Sequence, residues 1–172
     1  QVQFQIARVQ VQALARAGHR RIGYAMPADG RLQHEGAGRL EALAQACHDE
    51  GLPPPFAQAL SVDVDSAARA VAGWRAGESQ ATGICAYDDN HALAVLAGMH
   101  RLDLAAPGDL AVVGLYDLPG ARLSRPPLTT VAIDSEAMGR YAARVMACRI
   151  EGRPPIQERG PEVARLVVRG TV

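Results

Sequence analysis

The sequence predicts an α/β fold: a mostly parallel β-sheet covered by helices on both faces. Three observations carry this. Segments with helical periodicity alternate with short apolar runs along the whole chain. The apolar runs are continuous, as in Gly83-Ile84-Cys85-Ala86 and Leu110-Ala111-Val112-Val113, which is the pattern of strands buried on both faces. Glycines stand where the helical patterns stop, at Gly18 and Gly51. Strand–helix–strand order with buried strands implies parallel pairing through right-handed crossovers.

Each element has its own signal. Residues 6–17 place Ile6, Val9, Ala13 and Leu14 at helical spacing, and Gly18 ends the run. Residues 20–26 read as a strand closed by Pro27. After a loop to about Gln33, helical spacing returns over 34–50, with Leu40, Leu43, Ala44 and Cys47 on one face. Pro53-Pro54-Pro55 is a stiff connector to a second strand over 56–62. Ser66 is the expected N-cap of a helix over 67–76. Residues 82–87 form a third strand, and Asp88-Asp89-Asn90 opens a helix over 91–102 with carboxylates at its positive end. Residues 109–114 are a fourth strand, 115–124 a loop, and 129–133 extended. A long helix follows over 135–151, then a last strand over 163–169.

Composition excludes several functions. The chain has 172 residues, with 18 basic and 18 acidic side chains and a formal net charge of zero. That balance argues against a basic nucleic-acid grip or a polybasic membrane binder in this stretch. Every basic residue other than histidine is arginine, which reads as coding bias. Aromatic residues are 4%, too few for a base-stacking platform. Cys47, Cys85 and Cys148 are widely spaced, so neither a disulfide framework nor a zinc knuckle is expected. No run approaches the roughly 18 apolar residues of a membrane span. The start, Gln1-Val2-Gln3-Phe4, suggests an internal piece of a longer protein.

In sheets of this kind ligands bind beyond the carboxyl ends of the strands. The loops after Met26, Val62, Tyr87 and Gly114 are therefore expected to converge. Gly36-Ala37-Gly38 lies inside a helical pattern and lacks a third glycine, so it reads as close helix packing rather than a dinucleotide loop. Asp88-Asp89-Asn90-His91 reads as helix capping with ligand hydrogen bonding rather than a metal cluster, because neighbouring side chains diverge. There is no nucleophile elbow, HExxH or P-loop, and Cys85 has no histidine partner. His34, His48, His91 and His100 read as exposed or packed helix residues, His34 being nearest the expected cleft. Trp74 reads as a packing anchor. No metal, no cofactor and no enzymatic activity are expected.

Four ordered stretches resemble the LacI/GalR family of bacterial regulators. They are ALARAGHRRIGYA over 13–25, Gly38 to Leu43 with Gly51-Leu52, TGICAYDDNHAL over 82–93, and DLAVVGLYDLPGARLSRPPLTTVAID over 109–134. Leu166-Val167-Val168-Arg169 fits the family's terminal strand. The last long block is the most specific, and the resemblance, spread from 13 to 169, spans essentially the whole chain.

The resemblance implies a type I periplasmic-binding-protein-like fold of two Rossmann-like, parallel-sheet subdomains around a cleft, with an incomplete N-terminal subdomain. It places residues 1–27 and 132–158 in that subdomain, and 28–131 and 160–172 in the C-terminal one. It also implies a cytoplasmic ligand-sensing and dimerisation domain of a repressor. Operator DNA would be bound only through a helix-turn-helix preceding Gln1. A homodimer would form through the helix from His91 to Arg101 and the loop from Asp117 to Leu123. A small-molecule effector, a sugar or similar polyol, would meet Glu35, Tyr87, Asp88, Tyr116 and Asp117. At three of these positions the family commonly has Arg, Asn and Asp; here they are Glu35, Asp88 and Tyr116. The cleft wall is therefore expected to be acceptor-rich and negative, suited to a neutral polyol or a cation and not to an anion. A secreted solute-binding protein of the same fold is the alternative reading.

Overall fold

The computed structural model describes residues 2–77, 80–154 and 160–172. In chain order the elements are α1 (Val2–Arg16), β1 (Ile22–Pro27), a single 3-10 turn (Gly30–Leu32), α2 (Gln33–Asp49) and β2 (Phe56–Leu60). Then come α3 (Val64–Arg75), β3 (Gly83–Ala86), α4 (Asp89–Arg101) and β4 (Ala111–Leu115). The chain closes with α5 (Pro119–Leu123), β5 (Thr129–Ile133), α6 (Ser135–Ile150) and β6 (Ala164–Val167). The six strands make one sheet in the order β2-β1-β3-β4-β5-β6. The first five are parallel, and β6 runs antiparallel against β5.

Two apolar layers follow from the period of two along each strand. Ile22, Tyr24, Cys85, Val113 and Leu115 face α1 and α2, where Ile6, Val11, Leu14, Leu43 and Cys47 meet them. Ala25, Ile84, Ala86 and Val112 face α3 and α4, where Val71, Trp74, Val95 and Met99 close the other side. Trp74 is fully buried, and its indole N–H donates to the Phe56 carbonyl at 2.8 Å. The expected packing anchor is there. Gly98 lets α4 lie against α3, since a Cβ would stand 2.6 Å from the Ala68 backbone nitrogen. No helix among the described residues is long and apolar enough to cross a membrane.

Several expectations are corrected. Asp63, not Ser66, caps α3: its carboxylate accepts from the Ser66 N–H at 2.7 Å, while the Ser66 hydroxyl accepts from the Ser61 N–H. A carboxylate one turn earlier captures the open N–H groups of the first turn more strongly than a hydroxyl. The expected loop over 115–124 contains α5, started by Pro119 at its first position. Of the paired glycines in α2, only Gly36 has a packing role, its Cα facing the Pro27 ring, whereas Gly38 faces open space.

The subdomain boundary expected after Pro27 does not divide the sheet. β1 pairs with β2 on one side and β3 on the other, and α1 packs beneath it. A strand buried on both faces needs partners on both edges, so residues 2–27 belong with the body built by 28–131. By contrast, α6 has no buried residue, and Met146 and Ile150 on it are exposed. The expected end of the subdomain segment 132–158, at Glu158, lies outside the described residues.

Candidate functional site

Parallel strands put the carboxyl ends of β1, β2, β3 and β4 on one edge, and the N-termini of α2 and α4 open toward it. Tyr87 leaves β3 at that edge. Its N–H donates to the Ala25 carbonyl at 3.1 Å, and the residue is 6% exposed. Burial pushes the Tyr87 phenol above its ordinary range. The Glu35 carboxylate, which accepts its hydrogen bond, adds to the shift, and so does Tyr116 nearby. Glu35 sits in the first turn of α2, where its charge complements the helix dipole. Tyr24, one strand over, donates its hydroxyl to the Gly36 carbonyl at 3.3 Å. The structure thus gathers Glu35, Tyr87 and Tyr116 in one electrostatic neighbourhood.

Asp88 is the N-cap of α4, as expected from its place before the helix. Oδ1 accepts the His91 N–H at 2.8 Å and lies 2.6 Å from His91 Nδ1. Burial alone would raise this carboxyl, but the bonds from His91 and Asn90 outweigh it and hold it below the ordinary value. The His91 ring meets Tyr87 edge-on at 5.4 Å, so the capping pair also braces the tyrosine.

Tyr116 and Asp117 follow β4 with φ of 94° and 52°, a left-handed region that L side chains seldom occupy. The turn is fixed from both sides. The Tyr116 N–H donates to Val131 O at 2.7 Å, and Asp117 Oδ1 accepts from Arg169 Nη2 at 2.6 Å. Tyr116 is 44% exposed, its ring free for contact. Asp117 is taken up instead: Arg169 also donates to Leu128 O, tying the turn to the C-terminal segment. Strained backbone of this kind persists where surrounding bonds over-determine it.

Two residues have roles the sequence reading did not give them: Asp89, expected only within the capping and ligand-bonding run 88–91, and Arg39, which was passed over. Asp89 is fully buried; it accepts from the Thr130 hydroxyl at 2.5 Å and from the Leu118 N–H at 2.6 Å. Burial raises its pKa, against those hydrogen bonds. This carboxylate staples the start of α4 to β5 and to the loop after β4. It fits only because residue 114 is glycine: a Cβ there would lie 2.1 Å from Asp89 Oδ1.

Arg39 is also fully buried. Its guanidinium lies over the Tyr87 ring at 5.6 Å and reaches the Tyr87 carbonyl from Nη1 at 3.4 Å. Nε donates to the Gln3 side-chain oxygen, and Nη2 is buried with no partner. The signal was the buried stripe of α2 itself, Gly36, Arg39, Ala42, Leu43, Ala46 and Cys47, in which an arginine takes an apolar position. The wall expected to be acceptor-rich and negative therefore has a cation behind Tyr87.

His34 is exposed beside Glu35. Among the described residues no group of three or more His, Cys, Asp or Glu side chains could hold a metal ion. A groove between α1 and α2, lined by Phe4, Arg8, Gln45, Asp49 and Glu162, has its Arg8 and Glu162 paired with each other at 2.6 Å.

Comparison with known proteins places this architecture. A "Lactose operon repressor" from Rhizobium radiobacter is 37% identical over 70 residues, covering 41% of this chain and 62% of its own. The "HTH-type transcriptional regulator GalS" of Salmonella typhimurium is 29% identical over 141 residues, 81% of this chain and 41% of its own. The solved "transcriptional regulator CelR-cellobiose complex" superposes with a TM-score of 0.73 at 28% identity, covering 99% of this chain and 52% of that one. The chain thus spans about half the length of the relatives it matches. Residues 11–172 match the periplasmic binding protein-like domain family, and the chain belongs to that family, in the form found as the effector-binding domain of LacI-family regulators.

Proposed function

We propose that this chain is the ligand-sensing and dimerisation domain of a cytoplasmic, LacI-type transcriptional repressor, and that its effector is a sugar or related polyol. The observation that carries the reading is the gathering of Glu35, Tyr87 and Tyr116 at the carboxyl ends of β1, β3 and β4. Carboxylate acceptors and tyrosine rings are the chemistry that holds a polyol: oxygens take the hydroxyl protons, and ring faces cover the C–H surface. The cellobiose named with the CelR structure supports a saccharide as the class of ligand. Asp88, with one oxygen committed to His91, is the further acceptor, and Asp117 shapes the turn that presents Tyr116.

In the whole protein the effector would favour one arrangement of the two subdomains, and that arrangement would set the spacing of two DNA-binding heads on an operator. Ligand and DNA affinities are then coupled reciprocally. The unburied face of α6 supports its assignment to the other subdomain. The dimer contact is assigned to α4 and α5, His91–Arg101 and Asp117–Leu123. There Leu123 is 76% exposed, and Gly120 packs toward Leu93 of α4. A two-fold axis would set this patch against its copy. The module carries out no chemical conversion in this reading.

Isothermal titration with cellobiose, lactose, galactose, D-glucose, glucitol, D-gluconate and D-glucuronate tests it. At least one should bind, and Tyr87→Ala should weaken that binding by about tenfold or more, a loss of about 1.4 kcal/mol. Absence of binding by every member of the panel would overturn the reading.

A further inference from the structure

The unusual group in this molecule is Arg39. A guanidinium taken fully out of water normally has a carboxylate beside it, because an uncompensated buried charge is strongly unfavourable. Among the described residues, no carboxylate lies within ion-pair distance of Arg39. Glu35, one helical turn before it and well placed in sequence for an ion pair, instead accepts from Tyr87. All the partners of Arg39 are neutral: the Gln3 amide oxygen, the Tyr87 carbonyl and the Tyr87 ring.

Which nitrogens are engaged matters. Nε and Nη2 share one edge of the guanidinium plane, the edge that meets a carboxylate with two parallel hydrogen bonds. Here Nε holds one displaceable amide oxygen and Nη2 holds nothing. The other face of the same side chain rests on Tyr87, a residue of the proposed effector site.

We propose that the Nε/Nη2 edge of Arg39 is a carboxylate-binding fork, and that the effector is an acidic polyol, a sugar acid with one carboxylate. The inference rests on the sugar-sensing reading above and narrows it. On binding, the ligand carboxylate replaces the Gln3 amide oxygen at Nε and supplies the missing partner of Nη2. Its hydroxyl groups remain for Glu35 and Tyr87. A single negative charge matches the single guanidinium. A phosphate dianion would leave one charge facing Glu35 and Asp88. The departure from an anion-excluding cleft follows from Arg39, which a reading of Glu35, Asp88 and Tyr116 alone does not include.

Matched ligand pairs test this on the full chain by titration calorimetry: D-gluconate against D-glucitol, and D-glucuronate against D-glucose, with D-glucose 6-phosphate as a further arm. At least one acid should bind about tenfold or more tighter than its neutral partner. Arg39→Lys, which keeps the charge and loses the fork, should bring the acid-to-neutral affinity ratio close to one, whatever it does to the neutral partner's own affinity. Arg39→Met should also lose the preference while melting no lower than the parent, since it removes an unpaired buried cation. A purely structural Arg39 would instead lower the melting temperature and leave the acid-to-neutral ratio intact, which overturns the proposal. So would tighter binding of the neutral member, or of the phosphate, in the parent chain. If neutral sugars bind and acids gain nothing, only this inference falls. If no member of either pair binds, the sugar-sensing reading falls with it.

Discussion

Replacing Gly114 by alanine tests the physical core of the account, the staple made by Asp89. The new Cβ would stand 2.1 Å from Asp89 Oδ1, 3.2 Å from its Cγ and 2.9 Å from Leu128 Cδ2. None of these can coexist with an ordinary contact, so Asp89 must leave. Its departure breaks the bonds from the Thr130 hydroxyl and the Leu118 N–H and leaves buried polar groups unpaired. Each such charged hydrogen bond contributes about 1.5–3 kcal/mol, so the expected loss is about 3–5 kcal/mol. For a chain of this size that lowers the melting temperature by roughly 10 °C. Trp74 is the only tryptophan and is fully buried, so its fluorescence reports unfolding directly in a urea titration. Gly38→Ala is the internal control. That glycine lies inside α2 with nothing within 4 Å of an added Cβ, and alanine there should stabilise by about 0.5–1 kcal/mol. A Gly114→Ala protein that melts within about 2 °C of the parent would refute the staple.

Four further outcomes are expected. Asp88→Ala removes the cap of α4 and should cost about 1–2 kcal/mol in a urea titration. The Asp88 carboxyl is held below its ordinary value in the fold, so its stabilising contribution is complete above the unfolded value and disappears as pH falls through the folded one; acid titrations of parent and Asp88→Asn should converge at low pH. Asp89 has the opposite sign: its pKa is raised by burial, so its contribution is fully present below the unfolded value and is lost as pH rises through the folded one. Asp89→Asn should therefore flatten the stability profile just above the ordinary carboxylate range, read by the same fluorescence titration. Arg169→Met removes the shorter of the two ion pairs of Asp117, at a site only 21% exposed, and leaves only the distant one with Arg122 at 4.0 Å. It should cost about 2 kcal/mol, after allowance for solvent screening, and should loosen the turn that carries Tyr116, seen as faster amide exchange at 116–118.

Local signals made most of the elements legible in the sequence. Gly18 and Gly51 stop their helices at φ of 94° and 66°, and the apolar runs at 83–86 and 111–115 are central strands. What was missed depends on contacts distant in sequence. Nothing near Asp89 announces that Thr130, 41 positions later, will donate to it, or that Gly114 makes the room. Nothing near Asp117 announces Arg169. Glu35, Asp88 and Tyr116 are legible as departures from the pattern of the family the sequence resembles. Arg39 is not, because its importance comes from being buried without a counter-ion. The subdomain boundary failed for a related reason: strand pairing, which decides where a sheet ends, is not written in the residues of the single strand at 22–27.

The central claim, that the effector seats at the carboxyl ends of β1, β3 and β4, is tested most directly by amide hydrogen exchange with and without a saturating bound sugar or sugar acid. Slowed exchange is expected at the first turn of α2, at Tyr87 through His91, and at 116–118. Protection at the groove between α1 and α2, around Phe4, Arg8 and Gln45, with none at Tyr87, would contradict it.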